Sequence, residues 1–357
     1  IQIYSMDLTR KGYKKNMGFK YMKKIRIILV GAGPRGINWL KVIKKSNYVE
    51  LIGICDLNIR TKQKIKALHL NKIPFYTNFK KAVVEGQPDA ALLSTSPFNR
   101  MRDIKICCKY KIAALVEKPL SIKIDEAKNM VNLMAKHNLL LMVGLNFRYL
   151  PVTKKLADFF ISKKIGKPCY AKFIYERWRD GRLKHLNKYP LTMKHPMLWE
   201  QSIHHFDLMR FVYNSEVKSV YAITWNPSWS MYSHHTNVSA LLSFNNGLTV
   251  NYLGTWQSNF KKFNFEWRTE CEKGAIIQKK QFSDLFYVNQ NSKKLIKIQL
   301  KKFQMWRTDA DLLLKDFSVS LVKKTKLHAS GKDHLKSLCI VQACIDSSKM
   351  GKKIVIK

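Results

Sequence analysis

Three short segments carry residue types that could do chemistry together. The first is Gly31-Ala32-Gly33-Pro34-Arg35-Gly36, directly after the apolar run 25–30. A strand running into G-x-G-x-x-G and then a helix is a cradle for a pyrophosphate. The first glycine allows the tight turn, the second lets backbone approach the phosphates, and the third lets helix and strand pack closely. The helix N-terminus turns its free N–H groups and positive dipole end toward the anion. Pro34 suits the first helical turn, where no needed donor is lost. A second apolar run, 51–55, ends at Asp56, about 20 residues past Gly36, where a ribose-binding carboxylate belongs. A carboxylate there repels a 2′-phosphate and favours NAD. Arg60 acts the other way and keeps NADP possible.

The second segment is Glu117-Lys118-Pro119, at the end of another apolar run. The third is Glu200-Gln-Ser-Ile-His204-His205-Phe-Asp207. On a helix, Glu200 and His204 share a face, so the carboxylate could orient an imidazole that moves a proton. Taken alone, E-x-x-x-H fits the polar stripe of an ordinary amphipathic helix better. Adjacent histidines on a helix do not converge on one ion, so no metal site is expected. The seven cysteines show no C-x-x-C spacing and suggest neither zinc nor a disulfide framework.

The elements that must position these groups follow from periodicity. From 24 to 145, apolar strands (25–30, 49–55, 74–76, 90–94, 113–116, 139–143) alternate with helices (35–46, 59–70, 99–110, 123–137). That pattern predicts a doubly wound parallel sheet covered on both faces. Ligands bind beyond the carboxyl ends of such strands. Those ends carry Gly31, Asp56, Ser94 and Thr95, Glu117 and Lys118, and Gly144 to Asn146. After Pro151 the pattern changes to a helix (152–162) and strand-like runs at 169–176, 217–225, 237–244, 248–256, 263–270 and 284–299. Asn245-Asn246-Gly247 marks a hairpin. A mostly antiparallel sheet with a covering helix at 197–213 is expected. A last helix, 332–350, should return to the first domain. The expected division is therefore an N-terminal extension over 1–21, a dinucleotide-binding Rossmann domain over 22–145 and a substrate and oligomerisation domain over 146–357. Met22 stands just before the first strand, as a start residue would.

The formal net charge of +41 raises a nucleic-acid partner. The charge is spread along the whole chain, however, and 52 lysines stand against 13 arginines, although arginine is the better bidentate reader of phosphate and bases. Abundant Lys, Ile and Asn fit an AT-rich coding sequence, so no specific nucleic-acid partner is expected. No run of apolar residues is long enough to span a membrane, and no secretory pattern precedes the first strand. A cytoplasmic protein with reduced thiols is expected.

Four features, in order, resemble the Gfo/Idh/MocA oxidoreductases, which include glucose–fructose oxidoreductase and inositol dehydrogenases. They are the glycine loop 31–36, Glu117-Lys118-Pro119, Gly144-Leu-Asn146-Phe-Arg148-Tyr-Leu-Pro151 and the helix from Glu200 to Asp207. Ser330-Gly331-Lys-Asp333 before the last helix is also family-like. The resemblance implies hydride transfer between a nicotinamide and a secondary alcohol or ketone of a sugar, cyclitol or related polyol. His204 would be general base, Lys118 would stabilise the alkoxide and share the proton relay, and Glu200 would hold the His204 tautomer. Gly31, Gly33, Pro34, Arg35, Gly36, Asp56, Arg60, Ser94, Thr95, Glu117, Lys118 and Asn146 would bind the cofactor. Lys118, Arg148, Tyr175, Trp178 and His204 would meet the substrate, with Arg177, Arg179, Asp180 and Lys194 in the same rim. The family motif D-x-G-x-H-x-x-D appears here with Glu200 and Ser202 in its first two places. Where the family often has T-P-x-x-H, this chain has Arg100. The bond before Pro119 is often cis in the family. Trp225, Trp229, Tyr232 and Trp256 suit the core or the sheet face of a homodimer or homotetramer. A non-catalytic sensor that binds a dinucleotide is the alternative the same fold allows.

Overall fold

In the computed structural model, which describes residues 23–356, the N-terminal apolar runs form β1 (Ile25–Val30), β2 (Val49–Cys55), β3 (Phe75–Tyr76), β4 (Ala90–Leu93), β5 (Ala113–Val116) and β6 (Leu141–Val143). The extension expected over 1–21 lies outside the described residues. The strands pair in parallel in the order β3-β2-β1-β4-β5-β6. Strand order therefore reverses between β1 and β4, which opens a crevice at their carboxyl ends. Every residue of β4 and β5 is buried, as strands covered on both faces require. The connections hold α1 (Pro34–Ile43), α2 (Thr61–Ala67), α3 (Phe79–Gly86), α4 (Arg100–Lys109) and α5 (Ile124–Lys136). α3 adds to the expected set. It starts where the Asn78 side chain accepts a hydrogen bond from the Lys81 amide at 3.0 Å.

The second half begins with α6 (Pro151–Ile161) and β7 (Pro168–Glu176). A π turn, Leu198–Ser202, leads into α7 (Ile203–Tyr213). Then come β8 (Val217–Trp225), β9 (Asn237–Phe244), β10 (Thr249–Thr255), β11 (Asn264–Cys271), β12 (Gly274–Lys280), β13 (Ser283–Asn289), β14 (Ile296–Lys297), α8 (Thr308–Lys323), α9 (Gly331–Met350) and β15 (Ile354–Val355). The nine strands make one sheet, antiparallel except where β7 lies parallel to β10. The hairpin expected at Asn245–Gly247 joins β9 to β10.

Two helices from the end of the chain tie the halves together. α8, which the expected element list lacks, lays Ala310, Leu313, Leu314 and Phe317 into the cluster around Trp39, Leu40 and Ile43 of α1. α9 packs on β8 and on α5. Just before it, the Ala329 carbonyl accepts from the Val143 amide at 2.8 Å. Tyr170, Tyr221, Ile223, Trp225 and Leu241 stand exposed on the outward sheet face, whereas Tyr232 and Trp256 are buried. Cys55, Cys107, Cys108, Cys169, Cys271, Cys339 and Cys344 are free thiols. Among the described residues, no helix is long and apolar enough to cross a membrane.

Candidate active site

The glycine loop has the expected shape. Gly31 sits at φ +91°, a conformation that L side chains rarely adopt. A Cβ on Gly36 would collide with the Gly31 carbonyl, so only glycine lets α1 lie this close to β1. Gly33 caps α1 and Pro34 opens it. The Asp56 carboxylate accepts from the amides of Ala32 (2.5 Å) and Asn58 (2.8 Å), which pins the acid beside the loop. Next to it lies a cavity of about 320 Å³ whose walls include Gly31, Asp56, Asn78, Lys80, Thr95 and Arg102. Thr95 Oγ1 is buried and has no partner. An orphaned hydroxyl beside a backbone cradle and a fixed carboxylate fits the phosphate and ribose of a dinucleotide. Ser94 spends its hydroxyl on the Val30 and Gly31 carbonyls and so braces the same turn. Arg60 is exposed at the start of α2, where its backbone amide donates to the Asn58 side chain at 3.0 Å. Lys80 and Arg102 are the basic side chains in the cavity wall. Sequence reasoning missed both, because neither belongs to a recognisable motif.

Glu117 faces the first domain. Its Oε1 accepts from Arg35 Nε and from Trp39 Nε1, each at 2.6 Å, which locks the start of α1 to the end of β5. Arg35 also lies 3.8 Å from the ring centre of Trp306. Lys118 points the other way, into the junction of the domains. Its Nζ donates to the Glu200 carbonyl at 2.8 Å and to Glu200 Oε2 at 2.9 Å. Tyr189 donates to the other Glu200 oxygen at 2.8 Å. The Lys118–Pro119 bond is cis.

This corrects the expected role of Glu200. The carboxylate does not hold His204; it is committed to Lys118 and Tyr189. The chain here is wound as a π turn, so the i, i+4 geometry of an α-helix does not govern the 200–204 pair. His204 is buried, and its ring stacks on Phe147 at 4.4 Å. It has no hydrogen bond to any described residue. Burial, with the charge of Lys118 adding to it, holds its imidazole well below the usual histidine range. It is therefore a neutral base at neutral pH. His205 differs: its ring nitrogens contact Gln201 at 3.0 Å and Tyr252 at 2.9 Å, and burial pushes it down to about 3.

Three residues expected to meet cofactor or substrate are spent elsewhere. Arg148 is buried and bonds Asp207 (2.7 and 2.5 Å), Asp333 (2.5 Å) and the His328 carbonyl (2.6 Å). Arg210 joins the same cluster through Asp333 at 2.8 Å. Burial alone would raise Asp333, but Arg148 and Arg210 outweigh it and hold the carboxyl well below the usual range. Asn146 donates to Asp309 in the core. Tyr175 is fully buried against His205 and Phe263 instead of lying at a rim, because β7 turns it inward with Ala171 and Phe173. Trp178 does reach the surface end of β7, bridging to Gln257, with Lys261 over its ring.

Two family descriptions match this arrangement. An oxidoreductase family with an NAD-binding Rossmann fold matches residues 25–145, and the GFO/IDH/MocA C-terminal domain matches 153–277. The chain belongs to the Gfo/Idh/MocA oxidoreductase family. An uncharacterized protein of Sinorhizobium fredii is 23% identical over 93% of this chain and 96% of its own length. A myo-inositol 2-dehydrogenase of Thermotoga maritima is 25% identical over 56% of this chain and 58% of that protein, so this match spans little more than half of the relative. Among solved structures, an oxidoreductase from Agrobacterium radiobacter in complex with NAD+, L-tartaric acid and magnesium superposes with a TM-score of 0.82, at 18% identity, over 94% of this chain and 99% of the other. That likeness is one of fold. The family member described here is thus an NAD-binding oxidoreductase with a doubly wound first domain and a mostly antiparallel second one.

Proposed function

We propose that this oxidoreductase interconverts a secondary alcohol and its ketone on a sugar, cyclitol or related polyol. The observation that carries the reading is His204, a neutral and unpartnered imidazole close enough to Lys118 to feel its charge, at the junction of the two domains. When bound, the nicotinamide takes or returns the carbinol hydrogen with its electron pair. The side chains do the rest. His204 accepts the hydroxyl proton, which its depressed basicity leaves it free to do without first losing one of its own. Lys118 uses two of its three N–H donors on Glu200, so one remains for the substrate oxygen as negative charge develops there. Glu200 and Tyr189 aim the ammonium. The inositol dehydrogenase among the relatives supports a cyclitol or sugar as the first substrates to try.

Asp56, held beside the cradle, supports NAD over NADP. Titration of the protein with NADH and with NADPH, followed by tryptophan quenching, tests this. NADH should bind in the micromolar range and NADPH at least about tenfold more weakly, since each factor of ten is about 1.4 kcal/mol. Equal affinity would mean that Lys80 and Arg102 accommodate the extra phosphate and outweigh Asp56.

A further inference from the structure

Arg100 is 1% exposed, an unusual place for a guanidinium. It is the first residue of α4, behind the carboxyl ends of β4 and β5. Its Nη1 donates to the carbonyls of Glu117 and Pro119, the residues on either side of Lys118, and reaches the Leu120 carbonyl at 3.4 Å. Its Nη2 donates to the Thr95 carbonyl. These carbonyls point into the protein interior, and buried carbonyls need donors. One planar guanidinium with donors in a fixed fork can gather several of them, which an imidazole with at most two N–H groups cannot. The same loop is held from its other sides. The Glu117 carboxylate is bound by Arg35 and Trp39, and the Leu120 amide donates to His334 at 3.4 Å. Only the Lys118 side chain leaves this frame, toward Glu200.

We propose that Arg100 is the positioning residue of Lys118: by clamping the carbonyls of Thr95, Glu117, Pro119 and Leu120 to one guanidinium, it fixes the direction in which the ammonium crosses to Glu200. The inference rests on the reading of Lys118 as the group that meets the substrate oxygen, but its test does not need a substrate. Burial lowers Arg100 to about 10, with Glu117 opposing the shift, so the clamp keeps its charge at neutral pH.

The test is trace acylation of the full chain with acetic anhydride, read at Lys118 by mass spectrometry against an exposed lysine such as Lys353. NADH binding is measured on the same samples. In the wild type, Lys118 should react slowly, its side chain being only 12% exposed and ion-paired. Arg100→Met should raise its relative reactivity about tenfold while NADH affinity stays within about twofold, as expected when one buried clamp of hydrogen bonds is lost locally. Arg100→Lys, which restores one multidentate cation, should fall between the two. Where a polyol is turned over, both variants should lower kcat with little change in KM for NAD+. Unchanged Lys118 reactivity in an Arg100→Met protein that binds NADH normally would overturn the proposal. If methionine prevents folding, Arg100→Lys decides on the same reading. Loss of NADH binding in both variants would also overturn it, because Arg100 would then support the domain as a whole. A wild type that turns over no polyol would sink the proposed reaction while leaving the labelling result to stand by itself.

Discussion

Two charged clusters cross the same domain junction, and they are built alike. In each, the base comes from the carboxyl end of a first-sheet strand: Lys118 after β5, Arg148 after β6. In each, the acid comes from the helical segment 198–213: Glu200 for Lys118, Asp207 for Arg148. They differ in saturation. Arg148 spends four of its five N–H groups on Asp207, Asp333 and a carbonyl, and Arg210 and Ser337 add further bonds to the same two acids. Lys118 makes two bonds, both to Glu200, and the His204 ring makes no hydrogen bond to a described residue. A planar arginine bonded through all three of its nitrogens fastens the domains, whereas in the proposed reaction the lysine's spare donor would meet the reacting oxygen. In the proposed reaction the same helical segment serves structure at one end and chemistry at the other.

Breaking the saturated cluster should have the largest effect. Asp207→Ala leaves Arg148 and Arg210 buried and short of a partner, which costs about 3–5 kcal/mol. Urea unfolding should show a midpoint lowered to match. A loss below about 1 kcal/mol would mean that the cluster does not fasten the junction. The histidines around it give the next effect. Burial pushes His334 down to about 4 and His205 to about 3, against 6.5 for a free imidazole. The unfolded chain therefore takes up protons first as pH falls, and stability present above pH 6.5 is lost on going toward pH 4. At pH 5 each of these two groups should cost about 2 kcal/mol. Unfolding midpoints measured at pH 7.5 and 5.0 should diverge, and His334→Gln should reduce the divergence. A flat profile would contradict the buried neutral state. The smallest change is Glu200→Gln, which keeps the contacts to Lys118 and Tyr189 but removes the charge. Turnover should fall about tenfold, with a stability loss smaller than that of Asp207→Ala because Lys118 keeps its bond to the carbonyl of residue 200. A stability loss like that of Asp207→Ala would erase the contrast between the clusters.

The first domain was readable because its information is local. A glycine loop, an acid after the next strand and alternating elements are set by neighbours in sequence. The second domain's sheet was also readable, apart from β12, β15 and the division of the run 284–299 into two antiparallel strands, β13 and β14. What escaped depends on distant partners. Glu200 turns to Lys118, more than eighty residues away, and nothing in E-x-x-x-H announces that or the π turn around it. Arg148 looked like a pocket residue until Asp207 and Asp333 surrounded it. Arg100 gave a visible departure from pattern, but its carbonyl partners lie on two different strand ends. The helix over 308–323 did leave a signal, in apolar residues at 310, 313, 314 and 317, yet lysine-rich flanks obscured it.

Lys118 and His204 are proposed to act on the substrate and not on the cofactor. The most direct test is NAD+ reduction by a panel of sugars and cyclitols, myo-inositol included, in the wild type, Lys118→Ala and His204→Ala, with NADH affinity measured on each protein. The wild type should turn over, each variant should lose activity on the order of 10²-fold or more, and NADH affinity should stay within about twofold. Wild-type turnover in either variant would contradict this. Tight NADH binding with no turnover by the wild type on any substrate would point instead to a relative that binds the dinucleotide and reports on it.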